Sequence, residues 1–418
     1  MVVADKTIEA PFVVSAPGKA ILFGEHAVVY GKTAIAGSLD MRAYALVTTR
    51  SDSSVRLVLP DIGVDVRFDT QQLPRLTPES LAHPSHVEQH LAHLSVPDGP
   101  GRMAVLTFVY LYGCLFGEGA RATGFTVSVR SLLPVGSGLG SSAAYNVTLA
   151  AALLRLSGRP CEPDAVNEWA FAGEQVAHGT PSGIDNAVAT YGGFLAYTKG
   201  SPPQPLHTTH ALRVLVTNTN EPKSTKALVA GVRALRERYP GVVNPVLDAI
   251  HEIAVSAVVR FEEREGQRAA LEPWLRESIR LNHGLLSTLG VSHPSLERIR
   301  ETTAARGMAS KLTGAGGGGC ALTLVPADAT DETVELVRSE LANQGFQCHQ
   351  TVVGSAGVTV TQSVGTVPVD EWVARMMSHP PARGAQSEDS ADPFSAIISG
   401  FIALPDAIIA KLAPSSLQ

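Results

Sequence analysis

Apolar and polar positions alternate in short bursts through the first third of the chain: "AYALVTT" from Ala43, "VRLVL" from Val55, "VDVRF" from Val64 and "FTVSVR" from Phe125. A period of two bounded by turn residues predicts half-buried strands, so this region is sheet-rich. Between them, "PESLAHPSHVEQHLAHL" and the run from Met103 carry helical spacing, and "AAYNVTLAAALLRL" predicts a strong helix ending near Gly158. After a strand "LRVLVTNT" from Leu212 the pattern changes. Helical periodicity dominates from Ser224 to Arg306, clearest in "VLDAIHEIAVSAVVRFEERE". The strand "CALTLV", a helix from Asp331 and two short strands around Val352 and Val358 follow. The succession predicts an α+β protein with a first domain over 1–222, a second α+β domain over 223–363 and an extension over 364–418. In that extension "SHPPARGAQSEDSADP" has the composition of a disordered linker, and "FSAIISGFIALPDAIIAKL", broken by Pro405 and Asp406, is expected to dock on the core.

With 418 residues, 44% of them hydrophobic and 17% charged, the chain is expected to be soluble and to bury a substantial core. A net charge of -6 argues against nucleic acid and anionic membranes as partners. Cys114, Cys161, Cys320 and Cys348 have no metal-binding or paired spacing, which fits reduced thiols in the cytoplasm. Asp5 and Glu9 interrupt any signal-peptide core, and no later stretch is expected to sustain the ~18 apolar residues of a membrane span. "AVLTFVYLYGCLFG" from Ala104 is too short to span and reads as a buried helix.

Three segments stand apart from this pattern. "LLPVGSGLGSSAAYNV" sets Gly136, Gly138 and Gly140, with Ser141 and Ser142, at the start of a helix. Glycine lets a ligand approach the backbone, and a helix N-terminus offers free N–H groups and a positive dipole end, so such a loop suits phosphate; alone it is equally an ordinary turn. "KLTGAGGGGCALTL" places Gly314 and Gly316 to Gly319 before a strand, wasteful in entropy unless something must approach closely. "APGKAILFGEHAVVYGKTAIA" has Lys19, Glu25 and His26 interrupting an otherwise apolar run, where a buried charge needs a partner or a use, although a plain surface turn would also explain them. Neither common nucleotide motif fits. His26 stands where a Walker A loop ending in "GKT" needs its first glycine, and Ser141 where GxGxxG needs its third. The protein-kinase HRD and DFG signatures are absent as well.

In this order and spacing, the three segments resemble the GHMP small-molecule kinases. "SAPGKAILFGEHAVVYGKTAIA", "LPVGSGLGSSAAYNV", "FAGEQVAHGTPSGIDNAVATYGG", "TNTNEPKSTKALVAGV" and "KLTGAGGGGCALTL" are most similar to the mevalonate kinase branch, from about Pro11 to Val360. The glycine loops mark only the superfamily; "GEHAVVYG" with "HGTPSGIDN" narrows it. Galactokinases resemble GEHTD after the first motif, homoserine kinases lack the aspartate of "SGIDN", and mevalonate diphosphate decarboxylases lack GEH. The resemblance implies a two-domain GHMP kinase fold: an N-terminal mixed αβ domain with a left-handed βαβ unit and a C-terminal ferredoxin-like αβ domain. It implies transfer of the ATP γ-phosphoryl group to the C5 hydroxyl of mevalonate, and the active cleft is expected between the domains.

The same resemblance distributes the roles. ATP binding falls to Lys19, Pro134, Gly136, Ser137, Gly138, Leu139, Gly140, Ser141, Ser142, Ala143, Gly316 and Gly317. Ser142 and Glu174 hold Mg²⁺, for which hydroxyl and carboxylate oxygens are suitable hard ligands; Ser141 could equally donate to a phosphate. Asp185 is the base at the acceptor hydroxyl and Lys19 its cationic neighbour. Glu25, His26, Lys223 and Thr225 sit at the substrate end, with His26 on the mevalonate carboxylate or hydroxyl. Lys223 stands where animal members carry arginine, so a planar fork becomes a point charge. A homodimer, and inhibition by farnesyl or geranyl diphosphate competing with ATP, are also implied.

Two other readings remain open in the sequence: a different GHMP kinase, acting on phosphomevalonate or galactose, and a non-catalytic metabolite sensor of the same fold. A sensor is expected to lose Lys19, Ser142, Glu174 or Asp185, and all four are present. His83, His86, His90 and His93 recur at intervals that can bind zinc, but Pro84 interrupts them, and a solvated helix face is expected.

Overall fold

The computed structural model describes residues 10–74, 76, 99, 101–116, 124–134, 136–206, 211–262 and 268–361. The histidine-rich segment and the expected extension lie outside them. The spine is β2 (Thr33–Thr49), a long strand that pairs with β1 (Phe12–Phe23), β5 (Phe125–Ser131) and β6 (Phe194–Thr198). β3 (Ser54–Leu59) runs parallel to β5 and carries β4 (Val64–Asp69) antiparallel at the edge, while β7 (Gln204–Leu206) extends β6. The strands expected from alternation at Ala43, Val55, Val64 and Phe125 are all present.

Behind this sheet lie α1 (Arg102–Leu115), α2 (Ser141–Leu156) and α3 (Pro163–His178). α1 is buried from Val105 to Leu115, as its nearly unbroken apolar sequence requires, and packs with Val147, Leu153 and Val166 into one core. Truncating a side chain such as Leu111 there costs about 2–5 kcal/mol. α3 opens with Pro163, whose fixed φ suits a first helical turn, and α4 (Ile184–Tyr191) opens behind Gly183 at φ 81°.

The second unit begins with β8 (Leu212–Asn218), which pairs with β10 (Cys320–Leu324) and β11 (Gln347–Val353). β9 (Ala309–Thr313) completes the order β11-β8-β10-β9, all antiparallel. With helices α5 (Thr225–Arg238), α6 (Pro240–Phe261), α7 (Arg268–Thr288) and α8 (Pro294–Ala304) between β8 and β9, and α9 (Asp331–Asn343) between β10 and β11, this is the β-α-β-β-α-β plan of a ferredoxin-like unit. β8 is an inner strand of this sheet and precedes the boundary expected at 222.

The two sheets join through one pair, Val353 opposite Leu39, and the seam is tight. A Cβ on Gly37 would lie 2.4 Å from Val353 Cγ1. Arg42, buried, donates to the carbonyls of Ala356 and Gly357 and so fastens the chain leading into β12 (Thr359–Thr361) against β1.

The expectation that no stretch is long and apolar enough to span a membrane is corrected by α6, which qualifies by length and composition. Here it is a half-buried helix: Val243, Leu247, Ile250, Ala254, Ala257 and Phe261 recur at helical spacing and face inward. Tyr239 before it, and Val242 and Val259 on it, stay exposed.

Candidate active site

The glycine-serine loop, the start of α4 and the turn after β1 converge on one cleft of about 880 Å³. In the loop, Ser137 and Leu139 turn inward while Gly136 and Gly138 face out, and Gly136, Gly138 and Gly140 all hold positive φ. The inward residues anchor it. Ser137 Oγ donates to Pro134 O at 2.7 Å, and Leu139 O accepts from Lys19 N at 2.8 Å. Pro134, Ser137 and Leu139 therefore support the loop from behind, whereas Gly136, Gly138, Gly140, Ser141, Ser142 and Ala143 line the cleft. A Cβ on Gly140 would meet Lys19 Cγ at 2.8 Å, so this glycine lets the lysine stem pass under the loop.

Lys19 emerges at the cleft floor with Nζ 3.2 Å from Asp185 Oδ1; the lysine side chain is 11% exposed and the aspartate 36%. Asp185 stands in the first turn of α4, presented to the open space. A carboxylate and an ammonium share one wall of the cavity.

On the adjoining wall Ser142, in the first turn of α2, donates its hydroxyl to Glu174 Oε1 at 2.8 Å. Asn146, one turn further along α2, donates to the same oxygen at 2.5 Å. Glu174 is held above the ordinary carboxylate range, first by burial and also by the nearby Asp185 charge, against the pull of Ser142, His178 and Asn146. Ser142 and Glu174 both line the cleft, and a hydroxyl and a carboxylate are the hard oxygens Mg²⁺ takes. The pair is therefore suited to hold that ion.

At the other end His26 is one of two non-glycine residues with positive φ among the described residues, at 60°. Its Nε2 lies 2.9 Å from Ala315 O. A carbonyl only accepts, so Nε2 carries the proton and Nδ1 is the acceptor. Burial lowers the affinity of the ring for a second proton, which keeps this neutral form at neutral pH.

Three residues expected to bind ligand are placed otherwise. Glu25 borders the cleft, but its side chain has no exposed surface and its oxygens are taken by Lys311 and Asn282, so it acts as a strut. Gly316 and Gly317 do not line the cavity. Added Cβ atoms there would strike Val291 O at 2.1 Å and Leu228 Cδ1 at 2.9 Å, so those glycines serve packing. Gly314 and Ala315 form the cleft wall instead.

Lys223 and Thr225 both reach the cleft from the start of α5, which Ser224 caps by accepting from Ala227 N. Lys223 Nζ donates to Ser137 O at 3.0 Å and lies where a Cβ on Gly319 would be 2.2 Å away. Burial, opposed by Cys320 and assisted by Lys19, lowers its pKa. The sequence reading missed His178, whose Nε2 is 3.1 Å from Ser142 Oγ, and the apolar wall of Leu59, Ile62 and Met103. The i, i+4 spacing of Glu174 and His178 was the available signal for the first; nothing marked the second.

Family models match two stretches: "GHMP kinases N terminal domain" over 105–193 and "GHMP kinases C terminal" over 267–347. Mevalonate kinase of Homo sapiens is 40% identical over 374 residues, 83% of this chain and 94% of that one. The chain belongs to the mevalonate kinase family. The family fold is found again in two solved structures. Methanococcus jannaschii mevalonate kinase has a TM-score of 0.67 at 22% identity, covering 84% of this chain and all of that one. L. major mevalonate kinase in complex with R-mevalonate has 0.64 at 24%, covering 85% and all of that chain. Within this mevalonate kinase family member, the first matched stretch carries Ser142, Glu174 and Asp185. Lys19, His26 and Lys223 lie outside both stretches yet line the same cleft.

Proposed function

We propose that this protein transfers the γ-phosphoryl group of ATP to the C5 hydroxyl of mevalonate, giving 5-phosphomevalonate and ADP. The observation that carries this reading is the Lys19–Asp185 pair on the wall next to Ser142 and Glu174, close enough for the two carboxylates to interact. An acceptor hydroxyl and a phosphate chain can meet between them.

Phosphoryl transfer demands in-line placement and charge stabilisation more than covalent chemistry. The outward backbone of Gly136 to Ser142 cradles the phosphates, helped by the N-terminal dipole of α2. Asp185 accepts the hydroxyl proton, and the Lys19 ammonium stabilises the negative charge developing on that oxygen. Ser142 and Glu174 would hold Mg²⁺, which would neutralise charge on the phosphate oxygens. His26 offers Nδ1 to a mevalonate hydroxyl. Thr225 and Lys223 close the site from the second unit. ADP release measured with mevalonate, galactose, homoserine and phosphomevalonate tests the reading: turnover confined to mevalonate is expected, and turnover with another acceptor alone contradicts it.

The same reading covers regulation, assembly and location. The diphosphate of a farnesyl or geranyl chain fits the phosphate loop while its tail follows the wall of Leu59, Ile62 and Met103, displacing ATP. Tyr239 and Val242, exposed at the start of α6, offer an apolar contact for a second copy of the chain. The four cysteines are all free, consistent with a reducing cytoplasm.

A further inference from the structure

Lys311, in the middle of edge strand β9, is wholly buried, and so is the Glu25 carboxylate it meets. The ammonium also donates to Leu312 O at 2.7 Å and Ile21 O at 3.4 Å, which uses all three of its protons. The other Glu25 oxygen accepts from Asn282 of α7 at 3.1 Å. No water is needed to satisfy this charge, and neither side chain has exposed surface. A buried ion pair is seldom more stabilising than apolar side chains of the same size, so stability alone gives no reason for it.

Its neighbours supply one. The residue after Glu25 is His26, held at φ 60° and ψ -43°, a conformation that persists only where surrounding contacts over-determine it. Four residues beyond Lys311 is Ala315, whose carbonyl receives the His26 ring. Two rungs thus join the same two segments: Glu25 to Lys311 in the interior, and His26 to Ala315 at the cleft wall. Thr313, between them, adds a third contact, accepting from Ile21 N at 2.9 Å and donating to Ile21 O at 3.0 Å. The turn after β1 belongs to the first unit and β9 to the second, so the ladder sets the distance between them at the acceptor end.

We propose that Lys311, acting through Glu25, is a positioning residue that fixes the His26 imidazole, and with it the acceptor, relative to the Lys19–Asp185 pair. The proposal rests on the acceptor site assigned above. Lys311 touches neither substrate. Without it, the Glu25 carboxylate would retain only Asn282 in the interior and turn toward the water of the cleft, carrying His26 with it.

The test pairs Glu25→Leu with Lys311→Met, removing both charges at nearly constant volume, and a separate Glu25→Gln variant that keeps the shape and weakens the rung. Thermal unfolding establishes folding, calorimetry with Mg-ATP gives nucleotide affinity, and steady-state assays give KM and kcat for mevalonate. Expected are folded variants with Mg-ATP affinity within about twofold of the parent and a mevalonate KM raised about tenfold or more in the double variant, with kcat changed less. A mevalonate KM within about twofold of the parent, or nucleotide affinity falling in parallel with it, overturns the proposal. So does failure of both variants to fold, which would assign the pair to stability. An inactive parent contradicts the activity itself; an active parent with an unshifted variant contradicts only the positioning role.

Discussion

Lys223 of the second unit donates to the carbonyl of Ser137 in the phosphate loop of the first, at 3.0 Å, threading a gap that glycine keeps open at both Gly138 and Gly319. A slim ammonium passes there, and a guanidinium is wider and planar. Lys223→Arg is expected to raise the KM for ATP about three- to tenfold with a smaller effect on mevalonate, because the loop must shift to admit the fork. Lys223→Met is expected to have a larger effect on ATP. Steady-state kinetics with each substrate varied in turn reads the difference. An unchanged ATP KM in both variants rejects the contact's role.

Glu174 gives a stability prediction whose sign follows from its environment. Burial raises its pKa above the ordinary carboxylate range, so in the absence of metal folding favours the protonated form. That preference stabilises the fold fully below the unfolded value and is lost as pH rises through the folded one. At about pH 8 the fold then contains a buried carboxylate, which glutamine replaces without charge. In EDTA, Glu174→Gln is expected to melt higher than the parent at about pH 8, with the gap closing toward about pH 4. The same variant is expected to lose about 10²-fold or more in turnover with Mg²⁺. A lower melting temperature at alkaline pH would show that Ser142 and Asn146 outweigh the burial.

Farnesyl diphosphate is expected to raise the apparent KM for ATP without changing maximal velocity. Met103→Glu, which puts charge on the apolar wall, is expected to weaken the inhibitor about tenfold. An apparent ATP KM indifferent to added inhibitor rejects the regulatory reading.

Tyr239 and Val242, exposed at the start of α6, predict a dimer in solution. Light scattering is expected to give twice the chain mass for the parent and the chain mass for a Tyr239→Lys, Val242→Lys double variant. A monomeric parent contradicts the assembly.

Much of the fold is legible in the chain, and the exceptions have physical causes. β5 and β4 announce themselves because one face is polar. β1 does not: its residues "FVVSAPGKAILF" are buried almost throughout, so no alternation shows, and Pro17, Gly18 and Lys19 read as a turn. An apolar strand such as β8 does not state which sheet it joins. The phosphate loop, Lys19, Asp185, Ser142 and Glu174 were readable as motif residues, and they do share one cleft. The glycines were less so. Composition cannot separate Gly314, which faces the cleft, from Gly316, which makes room for Val291. Lys311 carried no signal, since the carboxylate that explains it is 286 residues away in the chain.

The central claim is that Asp185 and Lys19 act on a mevalonate hydroxyl while the glycine-serine loop holds ATP. Mevalonate-dependent ADP release tests it most directly when the parent is compared with Asp185→Ala at matched Mg-ATP occupancy. The account predicts turnover by the parent and a loss of about 10²–10⁴-fold in the variant, with Mg-ATP still bound. Equal turnover by parent and variant would contradict the role of Asp185, and a parent that binds Mg-ATP but releases no ADP with mevalonate would contradict the activity.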